Sequence, residues 1–198
     1  VCDEVYEELI LEGSFASPFD RADLADRTIV VSSISKSHAA PGFRSGWAVG
    51  PVEFCARLLP VSEIMLFGGQ PFIADMAAIF GALIVAVIPT AGLMRAAYRR
   101  RAGIVMEALK ACLALRALPP EAGMFILIDV RGTGLTGDAF ARGLLDAEAV
   151  AAMPGSSFGA QAEGFVRLSL TVPDEMLAEA CRRIARFAEA QTRKEVAE

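Results

Sequence analysis

The chain has 198 residues, 54% hydrophobic and 22% charged, which excludes a disordered or fibrous chain and allows a substantial buried core. Lys and Arg total 19 against 24 Asp and Glu, a net charge of −5 that removes nucleic acid from the expected partners. One histidine, His38, and 4 scattered cysteines without C-x-x-C spacing exclude a Cys/His metal site and a disulfide framework; no metal and a reducing, cytoplasmic compartment are expected. The amino end is acidic and no basic segment leads into an apolar run, so no secretory signal is read there. The chain opens without Met, directly on a motif-like Asp3-Glu4-Val5-Tyr6, and a missing amino-terminal part is therefore expected.

Asp3-Glu4-Val5-Tyr6 reads as the end of a truncated strand. Residues 27–34 read as a strand buried on both faces, and residues 44–50 as a second, short strand. Gly50-Pro51 breaks that pattern, and a helix is expected to about Leu66, then a loop at 68–71. The run from Met76 to Met94 carries no charge but is interrupted by Gly81, Pro89, Thr90 and Gly92. Its apolar core is shorter than the roughly 20 residues a membrane span needs, so a buried helix ending near Pro89 is expected instead. A further helix from Ala91 to about Arg116 carries Arg95, Arg99, Arg100 and Arg101, expected as a solvated face.

Pro119-Pro120 marks a change of organisation. Beyond it the pattern predicts a strand over 124–130, a loop over 131–137, a helix over 138–145, a short strand near 150–153, a loop over 154–164 and a strand over 165–170. A last helix is signalled by Pro173, by Asp174 and Glu175 at its positive start, and by the apolar stripe Leu177, Cys181, Ile184, Ala185 and Ala188. Strands alternating with helices define the α/β class.

Several short motifs carry chemistry. Ser33-Ile34-Ser35-Lys36 lies at the carboxyl end of a strand, where ligands bind in open α/β sheets, and a lysine there is placed to act as an amine nucleophile. Taken alone, Lys36 also reads as a surface lysine in a polar loop. Ser-x-x-Lys also occurs in serine acyl-transfer enzymes, but the Ser-Asp-Asn and Lys-Thr-Gly elements of that class are missing. Gly132-x-Gly134-x-x-Gly137 matches a dinucleotide fingerprint, yet no suitable acidic residue ends the next strand, so it reads as a turn and helix start. Arg167 sits within an apolar strand and needs an anionic partner, either an internal carboxylate or a substrate carboxylate.

Together, Asp3-x-x-Tyr6, Ser33-x-Ser35-Lys36, Gly42-x-Arg44-x-Gly46 and Arg167-Leu168-Ser169 resemble the class I/II aminotransferases, fold-type I enzymes that use pyridoxal 5'-phosphate. The stretches Ser-Lys-Ser-His-Ala-Ala-Pro-Gly-Phe-Arg-Ser-Gly-Trp at 35–47 and Ala-Gly-Met-Phe-Ile-Leu-Ile-Asp-Val-Arg at 122–131 are most similar to the arginine–pyruvate aminotransferase branch. The resemblance covers nearly the whole chain but only the carboxyl-terminal half of the family's usual length. It implies an α/β fold: residues 1–90 as the C-terminal portion of a large cofactor-binding domain with a mostly parallel sheet, 91–116 as a connecting helix, and 117–198 as a small α+β domain. It also implies roles. Lys36 would bind the cofactor aldehyde covalently and move the substrate proton, Asp3 would pair with the pyridinium nitrogen, and Tyr6 would hydrogen-bond the ring's phenolic oxygen. Ser33, Ser35 and Arg44 would hold the cofactor phosphate, and Arg167 the substrate α-carboxylate. The implied partners are an amino acid, a 2-oxo acid and, at full length, a second copy in a homodimer. The segment 79–90 departs from the family in being more apolar. A β-elimination or decarboxylation on the same scaffold, an inactive fragment and a sensor-type domain remain open.

Overall fold

Branched and small residues build the first sheet of the computed structural model, which describes residues 1–67, 71–87 and 90–195. The chain divides into two units, Val1–Arg95 and Ala96–Glu198. In the first, β1 (Cys2–Asp3), β2 (Val30–Ser33) and β3 (Gly46–Val49) form a sheet in the order β1-β2-β3. β1 runs parallel to β2, with Asp3 opposite Val31. β3 runs antiparallel to β2, with Gly46 opposite Ser33.

β2 is shorter than the strand expected over 27–34. Arg27 closes a 3₁₀ turn, Ala25–Arg27, that Thr28 Oγ1 ties back to the Leu24 carbonyl at 2.8 Å, and Ile34 already belongs to a helix. Burial on both faces is also incomplete: Val30 is buried, while Val31, Ser32 and Ser33 are half-buried. Gly46 is required where it stands, since a Cβ there would lie 2.7 Å from the Ser32 carbonyl oxygen, closer than β3 could tolerate beside β2.

α2 (Val52–Leu66) follows Pro51 and contains Pro60. Pro71, expected in a loop, opens α3 (Pro71–Val87); the other residues of that expected loop, 68–70, lie outside the described residues. Of the expected buried helix, Met76 and Ile79 are exposed and Ala77 is buried, while the side chains of 80–89 and the end expected near Pro89 lie outside the described residues. α2 buries no residue, and Phe72 of α3 is exposed as well. Among the described residues, Ala77 of α3 packs with Ile34, Ala40 and Phe43. Among the described residues no helix is long and apolar enough to cross a membrane.

α4 (Thr90–Leu109) carries the chain from the first unit into the second and buries Tyr98, Ala102, Val105 and Leu109 at helical spacing. It ends earlier than the expected Arg116. Cys112 N–H donates to the Leu109 carbonyl and Leu115 N–H to the Cys112 carbonyl, both at 3.0 Å, as the chain turns. Leu113 is 98% exposed, and Arg116 enters a strand that the sequence did not reveal, β4 (Arg116–Leu118). Pairing of β4 with β5 (Phe125–Asp129), Arg116 opposite Asp129, overrides the helical propensity of this Ala- and Leu-rich stretch.

The second sheet has the order β4-β5-β7-β6, with β6 at Met153–Pro154 and β7 at Phe165–Ser169, and every pairing is antiparallel. Ile126, Ile128, Val166 and Leu168 are buried, while their alternating neighbours Phe125, Leu127, Asp129, Phe165, Arg167 and Ser169 are half-buried. α5 (Gly137–Glu148) buries Phe140, Ala141 and Leu144, and α6 (Asp174–Glu195) buries Leu177, Cys181, Ile184, Phe187 and Ala188. Phe187, absent from the expected stripe, meets Phe140 edge to face at 5.1 Å, and Ala185 is only half-buried. The glycine motif at 132–137 forms a 3₁₀ turn, Arg131–Thr133, and leads into a helix start that Thr136 caps by accepting from Ala139 N–H at 3.2 Å.

The arginine cluster is more than a solvated face. Arg95 donates to the Glu8 carbonyl at 2.7 Å within the first unit. In the second, Arg100 and Arg101 converge on Asp174 at 2.6 and 2.8 Å. The Arg101 side chain is only 18% exposed and also donates to the Leu170 carbonyl at 2.9 Å.

Candidate functional site

The carboxyl ends of β1 and β2 face the same way because the strands are parallel, and the antiparallel β3 begins at that same edge. Six of the expected site residues belong to this edge or to the turns leaving it. Asp3 ends β1, exposed, with its Oδ1 accepting from Val5 N–H at 3.2 Å. The chain then turns, Glu7 N–H donating to the Glu4 carbonyl at 2.9 Å, and Tyr6 sits half-buried in this turn.

Ser33 ends β2 in extended backbone, and its Oγ accepts from Ser35 N–H at 3.3 Å. That bond caps α1 (Ile34–Ser37), so the strand passes directly into a helical turn that carries Lys36 half-buried. Ser37 Oγ lies 2.7 Å from His38 Nδ1 and donates to the Ser33 carbonyl at 3.4 Å, bracing the turn. Arg44 follows the 3₁₀ turn Pro41–Phe43 with φ 52° and ψ 39°, the left-handed region that non-glycine residues avoid. Its Nη1 donates to the Pro41 carbonyl at 2.9 Å. Strain of this kind is held only where surrounding structure imposes it, and it concentrates at ligand sites.

Two carboxylates behind this edge escaped the sequence reading. Glu4 is buried and accepts from Ser17 Oγ at 2.7 Å. Glu7 accepts from Ser32 Oγ at 3.4 Å, and burial together with the charges of Glu4 and Glu8 raises its pKa. Their signal was weak because acidic residues in a turn normally read as solvated.

Arg167 belongs to the second unit. It lies opposite Leu127 and Met153, on the sheet face away from the buried Val166 and Leu168. Its guanidinium carbon lies over the Phe125 ring at 3.9 Å and over the Phe158 ring at 4.4 Å. Among the described residues no carboxylate pairs with it, so the internal ion pair considered from sequence is absent there. The two rings were not foreseen.

The six side chains at the first edge comprise one amine, two serine hydroxyls, one phenol, one guanidinium and one carboxylate. That chemistry fits a phosphorylated aldehyde with a basic ring nitrogen. Hydroxyls at a helix start and a guanidinium suit a phosphate dianion, an amine suits an aldehyde, and a carboxylate suits a protonated ring nitrogen.

Residues 1–184 match the sequence profile of the family described as aminotransferase class I and II. The chain is 45% identical over 185 residues to an arginine–pyruvate transaminase of Pseudomonas aeruginosa, covering 93% of this chain and 46% of that protein. It is 34% identical over 191 residues to an aspartate/prephenate aminotransferase of Thermus thermophilus, covering 94% and 47%. An aromatic aminotransferase structure from Pyrococcus horikoshii superposes with a TM-score of 0.87 at 31% identity, covering 97% of this chain and 51% of that one. The chain thus spans about half the length of the curated relatives it matches.

Proposed function

We propose that this chain, which belongs to the class I and II aminotransferase family, supplies the lysine-bearing half of a pyridoxal-phosphate-dependent aminotransferase. The enzyme exchanges an amino group between an amino acid and a 2-oxo acid, with arginine and pyruvate as the pair, and works as a cytoplasmic homodimer. The observation that carries this reading is the gathering of Lys36, Asp3, Ser33, Ser35 and Arg44 at one sheet edge by strand direction and register. The substrate pair is supported by the 45% identity to the Pseudomonas transaminase. The exposed apolar side chains of α2 and α3, among them Leu59, Ile64, Phe72 and Ile79, support a dimer.

Each residue has a definite task. Asp3 would keep a proton on the ring nitrogen, Tyr6 would hydrogen-bond the ring oxygen, and Arg44 with the Ser33 and Ser35 hydroxyls would hold the phosphate. Bound pyridoxal phosphate supplies an electron-withdrawing ring that stabilises the charge left on the substrate α-carbon when its proton departs. Lys36 Nζ would hold the cofactor aldehyde and, once the substrate amine has displaced it, its free amine would carry the proton from the substrate α-carbon to the former aldehyde carbon. Arg167 would bind the substrate α-carboxylate through two parallel hydrogen bonds.

The test is a donor screen in a full-length enzyme carrying this sequence. Alanine should form from pyruvate with L-arginine as donor, and Lys36→Ala should abolish it. Pyruvate and ammonia released from β-substituted amino acids, or carbon dioxide released without amino transfer, would assign a different reaction to the site.

A further inference from the structure

Arg167 is held in an unusual way for a half-buried cation. Two aromatic rings lie against it, at 3.9 Å for Phe125 and 4.4 Å for Phe158, and no carboxylate among the described residues pairs with it. Ring faces attract a cation through their quadrupoles but carry no acceptor oxygen. The guanidinium is therefore fixed in position while its five N–H donors and its charge stay available. An internal Asp or Glu in the same place would neutralise the charge and occupy the fork.

The two rings reach Arg167 differently. Phe125 lies diagonally across the β5–β7 pairing on the same sheet face, where strand alternation puts it. Phe158 arrives from the 3₁₀ turn Gly155–Phe158, whose backbone is tightly constrained. A Cβ at Gly155 would overlap the Ala162 carbonyl oxygen and lie 2.8 Å from that of Phe165, so only glycine lets the turn press against β7. Gly159, directly after Phe158, has φ +118°, open to glycine and hostile to other residues. Ser156 Oγ donates to Asp138 Oδ2 at 2.6 Å and pins the turn to the start of α5. Phe158 itself remains 51% exposed in this chain.

Resting on the reading of Arg167 as the carboxylate ligand, we propose that Phe158, with Phe125, is a positioning residue that holds the Arg167 guanidinium ready for an incoming planar carboxylate. Phe158 need not touch the substrate. Its effect is to remove the rotamer freedom that a lone arginine would lose on binding.

The proposal is tested on this chain by NMR of 13C,15N-arginine, with the Arg167 Nε–H signal identified by its loss in Arg167→Lys. Propionate is the carboxylate probe. In the unmodified chain the ring currents should displace the Arg167 signal from the other arginines, and propionate should move it to saturation. Phe158→Leu should cut the displacement to the part that Phe125 causes and weaken the propionate response about fivefold, equivalent to about 1 kcal/mol. Phe158→Tyr, which keeps the ring, should restore both. A Phe158→Leu chain that binds propionate as tightly as the unmodified chain overturns the positioning role and leaves the carboxylate reading of Arg167 intact. Undiminished propionate binding in Arg167→Lys, or no response of the Arg167 signal in the unmodified chain, overturns the carboxylate reading, and the proposal falls with it.

Discussion

Gly155→Ala places a methyl group where the second unit has no room. The new Cβ would overlap the Ala162 carbonyl oxygen and approach the Phe165 carbonyl oxygen at 2.8 Å. Both obstacles are backbone, so no side-chain rotation relieves them, and the segment must swing away from β7. Overpacking of this kind costs about 1–3 kcal/mol. At about 4–8 °C per kcal/mol for a domain near 100 residues, the melting temperature of the second unit should fall by roughly 5–20 °C. The same movement draws Phe158 off Arg167, so the Arg167 Nε–H signal should lose the part of its ring-current displacement that Phe158 causes. Scanning calorimetry and the NMR signal read the two effects separately. Gly159→Ala is the control for mechanism: nothing lies within 4 Å of its Cβ, so its penalty is backbone strain at φ +118° without a clash. A Gly155→Ala chain that melts within about 2 °C of the unmodified one, with the Arg167 signal in place, would refute the claim that the turn is pressed against β7.

Two further outcomes follow from the second unit. Phe140→Ala removes a fully buried ring and its edge-to-face contact with Phe187, and urea denaturation should show a loss of about 3–5 kcal/mol; a loss under about 1 kcal/mol would mean the α5–α6 core is not packed as described. Hydrogen bonds from Arg100 and then Arg101 lower the Asp174 carboxyl from 3.8 to about 2 in the folded chain. A folded pKa below the unfolded one gives stabilisation that is present above about pH 4 and lost as pH falls towards 2. Asp129 beside Arg131, Glu148 beside Arg186 and Glu179 beside Arg183 are lowered as well and act in the same direction. Asp174→Asn should therefore flatten part of the acid dependence of the urea midpoint; an unchanged pH profile would remove Asp174 from the acid response.

Regular periodicity was the legible part of this chain. β5, β7 and α6 each carry an unbroken apolar pattern, and each lies close to where that pattern places it. β4 was illegible because Arg116-Ala117-Leu118 has no strand character of its own and is recruited by pairing with β5. The end of α4 was missed for the same reason, since no Gly or Pro stands at Leu109. α3 was legible in part: an apolar segment implies a partner surface, and among the described residues Ala77 finds one while Phe72, Met76 and Ile79 stay exposed. At the site, motif residues next to a strand end were readable because strand direction alone brings Asp3, Ser33 and Lys36 to one edge. Phe158 was not, because its role depends on a loop returning across a sheet face, and neither composition nor spacing records that return.

The chain has three lysines, Lys36, Lys110 and Lys194, and only Lys36 stands at the carboxyl edge of the first sheet. Lys110 is exposed beside Glu107 at 3.8 Å. The most direct measurement is to mix the purified protein with pyridoxal phosphate, reduce with borohydride and locate the modified lysine by mass spectrometry. Label concentrated on Lys36, and lost from the protein in Lys36→Ala, is the expected result. Label spread evenly over Lys110 and Lys194 without preference for Lys36 would contradict the assignment of that edge as the cofactor site.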